Sequence, residues 1–310
     1  MLSTEGACTV RSEGTKLISM YQSLTGERIE LGPSSLLWRY AGDTRIAFLG
    51  GTIGLLQLLH PAIGAGVLDH SNFFEDPSDR VFRSLPRILG AAYDGPAAAT
   101  TGIEVRDAHR TISGTDAHGE RYHALDPRTF WWAHATFQFM AEQVVDRWDR
   151  RRLTRAEREQ LYQEGVEWYR RYGVSDRFVP PDREAFQVEW DRVCAEELEM
   201  NDAVRFVLDI LDAPRLPRFN GRVAVPAVLK PLVDARLVRR AIARPSRVVA
   251  IGGLPAVVRE RFDIPWSRRD QAELDLLEAT VSRAWRLLPA TTRWQPRALE
   301  GWRRETGTAP

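Results

Sequence analysis

Cysteine is scarce in this sequence, and its scarcity narrows the chemistry that the chain can perform. The 310 residues contain two cysteines, Cys8 and Cys194, which lie far apart along the chain. This arrangement predicts no disulfide framework, and no Cys-x-x-Cys or Cys/His spacing typical of a structural zinc site is present. The sequence therefore favours a reducing location.

Net charge and long apolar runs are also lacking. Forty-three basic and forty-two acidic residues leave a formal net charge of +1, so we expect no nucleic-acid partner. The longest apolar run, near residues 46–59, is interrupted by glycines and is shorter than the roughly 20 residues of a membrane span. Residues 1–11 lack the basic and apolar regions of a signal peptide. We therefore expect a cytoplasmic protein without stable membrane insertion.

The familiar motifs of nucleotide and zinc enzymes are missing as well. No Gly-x-Gly-x-x-Gly follows a strand, and the sequence contains neither a P-loop nor a His-Glu-x-x-His motif. Alternating strand patterns are nearly absent, whereas helical spacing recurs along the chain. The sequence predicts an all-α protein with a single domain of about ten helices.

We divide this domain into three parts. Residues 1–33 form an N-terminal lead with one short helix at 15–24, residues 34–212 form the helical core, and residues 213–310 form a C-terminal helical layer that begins with a proline-rich connector. The predicted helices that are compared with the structure below cover residues 97–112, 127–152, 156–172, 183–200, 227–243 and 271–288.

The most informative of these helices begins at Asp126-Pro127. Aspartate is a good N-cap, and proline fits the first helical position, where no backbone N–H is needed. The apolar face of the helix then carries Phe130, Phe137, Ala141, Val144 and Trp148. His134 lies within that face, so it requires a partner in the core: a backbone carbonyl, a water or a metal, most plausibly a haem iron.

The other histidines carry weaker signals. Arg106, His109 and Arg110 fall on one side of a predicted helix, which is either a solvated basic face or part of a site. His60 precedes Pro61 and fits a cap or core histidine bonded to a carbonyl, while His70 fits a helix end. Between them, the small residues of 62–68 allow close approach of either another helix or a flat cofactor.

Several stretches, in this order along the chain, resemble one known family. They are Leu56-Gln-Leu-Leu-His60-Pro61 with Ala65-Gly-Val-Leu-Asp-His70-Ser71, Val105-Arg106-Asp-Ala-His109, Leu125-Asp-Pro127 with Trp132-Ala-His134-Ala-Thr136, and Gly253-Leu-Pro255-Ala-Val-Val-Arg259-Glu with Ile264-Pro-Trp266. The family is the latex-clearing-protein-like group, which contains bacterial rubber oxygenases and the fungal oxygenase of the mycophenolic-acid pathway. The resemblance covers roughly residues 35–300.

The resemblance implies an all-α, globin-like haem b protein with a haem pocket, in a family whose characterised members use dioxygen to cleave carbon–carbon double bonds of isoprenoid chains. By position, His134 corresponds to the proximal iron ligand, and Arg106 and His109 fall on the family's Arg-x-x-Lys element. Rubber oxygenases have lysine where this chain has His109, and threonine where it has Arg110. Because rubber oxygenases are exported and this sequence carries no export signal, an extracellular polymer is not the expected substrate.

The leading hypothesis is a haem b-dependent oxygenase or oxidase for a small apolar or isoprenoid-derived molecule. His134 would bind iron, His109 would work on the distal side as a sixth ligand or a hydrogen-bond donor, and Arg106 would hold a haem propionate or bound oxygen. His60 and His70 are further pocket candidates. The alternatives are haem-dependent dehydrogenation, rearrangement or peroxide chemistry, and a non-catalytic haem- or lipid-binding helical protein. The sequence does not indicate an oligomeric state.

Overall fold

Helices make up most of the chain, as the sequence predicts. The computed structural model describes residues 29–75, 77–216 and 235–310, without the side chains of 77–83. Fourteen α-helices lie in these ranges: α1 Leu36–Tyr40, α2 Gly50–Leu58, α3 Pro61–His70, α4 Pro77–Tyr93, α5 Ala98–Asp107, α6 Pro127–Trp148, α7 Arg155–Arg170, α8 Arg183–Arg192, α9 Asp202–Asp212, α10 Arg236–Gly252, α11 Ala256–Arg261, α12 Arg268–Ala284, α13 Ala290–Arg293 and α14 Pro296–Thr306.

Short elements join these helices. The 3₁₀ helices are Thr44–Leu49, Gly95–Ala97 and Trp285–Leu287, and a π-helical turn covers Val193–Glu197. Strands β1, Ser113–Thr115, and β2, Arg121–His123, form an antiparallel hairpin in which Gly114 pairs with Tyr122. The prediction of an all-α fold is confirmed.

Local start signals position the helices that build the site. Asp126 Oδ1 accepts hydrogen bonds from the backbone N–H groups of Arg128 and Thr129, as expected for an N-cap. Thr154 and Glu157 form a reciprocal capping box at the start of α7. Pro61 starts α3 at a bend of 99° from the preceding helical segment, because proline is accepted at a first helical position but not in a continuing one.

The ends of several helices differ from the prediction. Helix α5 ends at Asp107 rather than at residue 112, because the chain turns there to enter the β-hairpin. Helix α6 ends at Trp148 rather than at 152. Helix α8 gives way at Val193 to the π-helical turn, in which Leu198 N–H donates to the Val193 carbonyl.

The predictions for the C-terminal helices also need correction. Helix α10 continues past residue 243 and through Pro245 to Gly252, with Val248 and Ile251 buried, so packing outweighs the lost backbone bond at proline. Helix α12 begins at Arg268, three residues early, through a capping box of Ser267 and Asp270. Helix α14 was not predicted. The short helix expected at 15–24, the connector beyond residue 216 and the start of the helix expected over 227–243 lie outside the described residues.

Helix α6 runs through the core, and the C-terminal helices pack against the N-terminal half of the chain. Thr52 Oγ1 of α2 donates to the carbonyl of Ala250 in α10 at 2.9 Å, and Ser282 Oγ of α12 donates to the carbonyl of Trp148 at 2.8 Å. Helix α14 packs on α4. The C-terminal layer therefore covers several faces of the core.

The small residues of α3 contact protein in this structure. A Cβ added at Gly64 would meet Asn201 and the Leu58 carbonyl, and one added at Gly66 would touch Ile112 and Tyr122. These contacts account for the small residues by helix and hairpin packing, which was one of the two predicted explanations. No single helix within the described ranges is long and apolar enough to cross a bilayer, although the bent pair Thr44–Leu58 and Pro61–His70 meets that test by length and composition.

Candidate functional site

His134 lies at the centre of the core, on the buried face of α6. Its residue surface is 2% exposed, and Phe130, Ala141, Val144 and Trp148 of the predicted apolar face are buried with it. The helix therefore presents His134 to the protein interior, as its spacing predicts.

The imidazole of His134 has one polar partner among the described residues. Its Nε2 lies 2.9 Å from the carbonyl oxygen of Gly165. A carbonyl only accepts, so Nε2 carries the proton. Burial lowers the pKa of His134 to about 4, an effect that the Gly165 carbonyl offsets only in part. At neutral pH the ring is therefore uncharged, and Nδ1, which is buried without a hydrogen-bond partner, carries a lone pair.

Gly165 brings α7 close enough to provide this carbonyl. A Cβ at this position would lie 2.7 Å from Cδ of Gln138, whose buried amide donates to the Tyr162 carbonyl. Sequence reasoning missed Gly165 as a site residue. The sequence does contain a signal for it, because a glycine in the middle of a predicted helix is costly and indicates close approach of another element.

Aromatic rings surround the His134 imidazole. Trp168 lies edge-on at 4.9 Å between ring centroids, and Tyr169, Trp131 and Tyr172 follow at 5.4, 5.7 and 5.7 Å. No ionisable side chain of the described ranges shifts the pKa of His134. The surroundings are thus apolar and uncharged, which suits a neutral imidazole.

A second buried histidine, His60, lies at the start of α3. Its ring stacks against Trp132 at 6.4 Å, and its Nδ1 also has no hydrogen-bond partner in the described structure. Burial lowers the pKa of His60 to about 4, and the acidic groups of Glu197 and Asp126 offset this only in part. His60 and Trp131 line a cavity of about 10 Å³, too small for more than a water molecule.

Arg106 and His109 lie at the end of α5, and only Arg106 is helical. His109 Nδ1 donates to the Val105 carbonyl at 2.7 Å, and its half-buried ring meets Phe130 edge-on at 5.8 Å. Arg106 forms an ion pair with Asp107 at 2.8 Å. Because α5 ends at Asp107, the predicted helical face shared by Arg106, His109 and Arg110 is wrong, and Arg110 instead bonds to Asp107 across a turn.

Aromatic side chains link His109 to His134. The ring of Phe130 lies 5.5 Å from that of Tyr172, and Tyr172 in turn contacts His134. The structure therefore places the two histidines in one aromatic cluster, in which the rings of Phe130 and Tyr172 lie between them. It does not show a direct contact between them.

His70 lies apart from this cluster. It is exposed, and its Nε2 bonds to the Ser113 carbonyl at 3.0 Å, which links α3 to the β-hairpin. Within the ranges that the structure describes, no group of three or more His, Cys, Asp or Glu side chains forms a metal site. His134 and His60 are the two described histidines that hold a buried ring nitrogen without a hydrogen-bond partner.

Comparison with known proteins agrees with the resemblance found in the sequence. Two mycobacterial proteins, uncharacterized protein Mb2261 of Mycobacterium bovis and uncharacterized protein Rv2237 of Mycobacterium tuberculosis, are each 27% identical over 76% of this chain and 87% of their own length. No solved structure matches the chain significantly. The family described as the ER-bound oxygenase mpaB/B' and rubber oxygenase catalytic domain matches residues 38–290. The chain therefore belongs to this family of oxygenase catalytic domains.

Proposed function

We propose that this protein is a haem b-dependent oxygenase for a small apolar or isoprenoid-derived molecule, with His134 as the protein ligand of iron and dioxygen as the oxidant. The observation that carries the proposal is the state of the His134 ring. It is neutral, its Nε2 is held by the Gly165 carbonyl, and its Nδ1 is buried with an unused lone pair.

These donor atoms fit a protein ligand of haem iron. Histidines that bind metals are usually neutral, and a carbonyl on the second ring nitrogen fixes the ring orientation. Four aromatic rings contact the imidazole and would line the haem site.

The haem, when bound, would supply the chemistry that activates dioxygen, and the chain would supply the surroundings. The rings of Trp131, Trp168, Tyr169 and Tyr172 would exclude water and favour an apolar substrate. The hydroxyl groups of Tyr169 and Tyr172 stay protonated, since burial raises the pKa of both well above the usual range.

In this proposal His109 and Arg106 act at the end of the aromatic cluster where Phe130 contacts His109. Arg106 would bind a haem propionate in exchange for its ion pair with Asp107. His109, whose Nδ1 is held by the Val105 carbonyl, would act on substrate or oxygen. His60 would contribute to the pocket wall beside Trp132. We further propose that the enzyme acts in the cytoplasm.

The absorption spectrum of the protein, expressed with ample haem, tests the iron ligand. We expect a Soret band in the full chain, its loss in His134→Ala, and its retention in His118→Ala, a matched control whose side chain is 60% exposed and bonded to Glu199. Absence of the band in the unaltered chain, or an unchanged band in His134→Ala, would refute the proposal.

Oxygen uptake tests the reaction class. We expect the haem-loaded protein to consume dioxygen when an apolar isoprenoid is added, without added peroxide. His109→Ala should slow this uptake and still bind haem. If turnover requires peroxide, the chain performs other haem chemistry. If the haem-loaded protein consumes no dioxygen and turns over no substrate, the chain only binds haem.

A further inference from the structure

The turn between α12 and α13 exposes apolar side chains to solvent. Ten large apolar side chains of the described residues are exposed, and three of them lie in this one segment: Leu276, Leu287 and Leu288. Leu287 has the highest exposed fraction of the ten, 86%. Single exposed leucines are ordinary on a protein surface, but a concentration of them in one segment marks a candidate contact surface.

These leucines share one side of a helical segment with an arginine. Helix α12 ends at Ala284 and continues directly into the 3₁₀ turn Trp285–Leu287. Arg283 and Leu287 follow Leu276 by about two and three helical turns, and residues at such spacing lie on nearly the same side. Arg283 is exposed, as both leucines are. The outward side of this segment therefore carries leucine, arginine and leucine in a line.

The turn that follows α12 is held in place from the protein side. The Arg45 guanidinium lies over the Trp285 ring at 5.2 Å. Arg45 is itself fixed by ion pairs with Asp43 at 2.7 Å and Asp149 at 2.9 Å. The Leu288 N–H donates to the Trp285 carbonyl at 3.2 Å. The exposed leucines are therefore presented by a bonded turn, so little conformational entropy is lost when they bind a partner.

Arginines without carboxylate partners lie beside this turn. Arg39, Arg286 and Arg293 line one open depression of about 340 Å³, and Arg283 lies about one helical turn before Arg286. Within the described ranges none of these four arginines takes part in an ion pair. The two aspartates that also line the depression are both bonded to Arg45. Arginines thus outnumber carboxylates here, and positive charge prevails around the exposed leucines.

Exposed leucines bordered by arginines fit an anionic lipid surface. Proteins that dock on a membrane place leucine at the acyl boundary and arginine among the head groups, where a guanidinium binds phosphate oxygens. Leu287 is covered little by its neighbours, and a fluid lipid phase accommodates such a side chain without a preformed pocket. A protein partner would instead need a complementary pocket for it. The charge and the exposure together therefore favour lipid.

We propose that the α12–α13 turn docks on an anionic phospholipid surface, where Leu287 and Leu288 enter the interface and Arg283 and Arg286 bind lipid phosphates. This docking is peripheral and requires no membrane-spanning helix. It goes beyond the proposed function, because it brings the enzyme to the phase in which apolar molecules dissolve. It does not involve the haem site, so its failure would leave the proposed function intact, and the reverse also holds.

Co-sedimentation of the full chain with lipid vesicles tests the proposal, and a sample without vesicles corrects for aggregation. We expect the chain to bind vesicles of phosphatidylglycerol and phosphatidylcholine in equal parts. Binding to phosphatidylcholine alone should be at least about tenfold weaker, because each arginine near an anionic surface contributes about fivefold to the affinity. Raising the salt concentration from about 0.1 to about 0.5 M should weaken binding to the anionic vesicles, because salt screens the attraction.

Two variants with matched controls locate the contact. Leu287→Ser removes apolar area and leaves the charge unchanged, and it should weaken binding to the anionic vesicles about fivefold. Its control is Val188→Ser, at a side chain that is 67% exposed on α8. Arg286→Gln should also weaken binding about fivefold. Its control is Arg155→Gln, which removes the same charge at a side chain that is 92% exposed on α7. Each control should change the affinity by less than about twofold.

Leu287 and Arg286 are both exposed, so we expect the two variants to unfold at the same temperature as the unaltered chain. Differences in vesicle binding then report on the contact itself. The proposal is overturned if the chain binds anionic vesicles no better than neutral ones, or if either variant binds like its control. If Arg286→Gln alone weakens binding, the turn is a general anion site, for nucleic acid for example, and the proposal also fails.

Discussion

His134 Nε2 lies 2.9 Å from the carbonyl oxygen of Gly165, and this contact joins α6 to α7 at the centre of the core. The helices approach so closely here that residue 165 has no room for a side chain, since a Cβ there would overlap the amide of Gln138. A candidate iron ligand is therefore held by the backbone carbonyl of a glycine 31 residues away.

Gly165→Ala should destabilise the protein although alanine is the better helix former. The new Cβ would lie 2.7 Å from Cδ of Gln138, a fully buried side chain whose amide is held by the Tyr162 carbonyl. We expect overpacking to lower the free energy of unfolding by about 1–3 kcal/mol. Urea denaturation measures this value.

Gly54→Ala is the matched control for that substitution. Gly54 lies inside α2, and a Cβ there meets nothing within 4 Å. We expect it to stabilise the protein by up to about 1 kcal/mol. Equal effects of the two substitutions would show that the approach of α7 to Gln138 does not constrain residue 165.

His60 should make the protein less stable in mild acid. Its folded pKa of about 4 lies below the ordinary value of 6.5, because burial penalises the charged ring. The unfolded chain therefore binds the extra proton between these values, and stability falls as pH drops from 6.5 to 4, by about 1.4 kcal/mol per pH unit at most.

His60→Asn tests this dependence, because asparagine cannot titrate and remains a good N-cap for α3. We expect the difference in unfolding free energy between the two proteins to change with pH in that window and to be constant above pH 7 or so. Urea denaturation of haem-free protein across the window measures it. Parallel pH profiles would contradict a neutral, buried His60.

Glu164 should have the opposite dependence. Burial raises the pKa of this carboxyl from 4.5 to about 7, although the Leu37 backbone N–H donates to it at 2.7 Å. The folded protein holds a proton that the unfolded chain has lost, so stability is greatest below pH 4.5 and falls as pH rises through 7.

Glu164→Gln should remove this loss. The amide keeps an acceptor oxygen for Leu37 and carries no charge, so the variant should gain on the unaltered protein by about 1.4 kcal/mol per pH unit at most between pH 4.5 and 7. Denaturant titrations at several pH values measure the difference. If the unfolding free energies of the variant and the unaltered protein differ by the same amount at every pH, the carboxyl is not protonated in the folded protein.

The Asp94–Arg297 pair should hold α14 against the end of α4. Arg297 binds both carboxylate oxygens of Asp94 at 2.6 Å, Thr101 adds a third bond, and the Asp94 side chain is 10% exposed. We expect Asp94→Asn to cost about 1–2 kcal/mol of unfolding free energy. Glu184→Gln, in a pair that is 77–92% exposed, should cost less than about 0.5 kcal/mol.

The sequence was most informative where the physical cause is local. Asp126-Pro127 predicts the start of α6, and Thr154 with Glu157 predicts the start of α7, because a cap involves residues only two or three positions apart. The spacing of apolar residues placed His134 in the core for the same reason.

The sequence was less informative where the cause is tertiary. Helix α5 ends at Asp107 because the chain turns into a hairpin there. Helix α10 continues through Pro245 because Val248 and Ile251, which follow the proline, are buried. The contact between His134 and the Gly165 carbonyl joins segments 31 residues apart in sequence, and no local pattern specifies which segments meet. The family resemblance indicated iron at His134, and the structure adds the hydrogen bond that leaves Nδ1 free.

The packing of α14 on α4 also has a consequence for how the chain matures. Asp94 and Arg297 lie 203 residues apart in sequence. During synthesis, α4 therefore leaves the ribosome long before α14 does. The face of α4 that α14 covers stays open to water until this late helix docks, so the Asp94–Arg297 pair forms only after the C-terminal helices have been made.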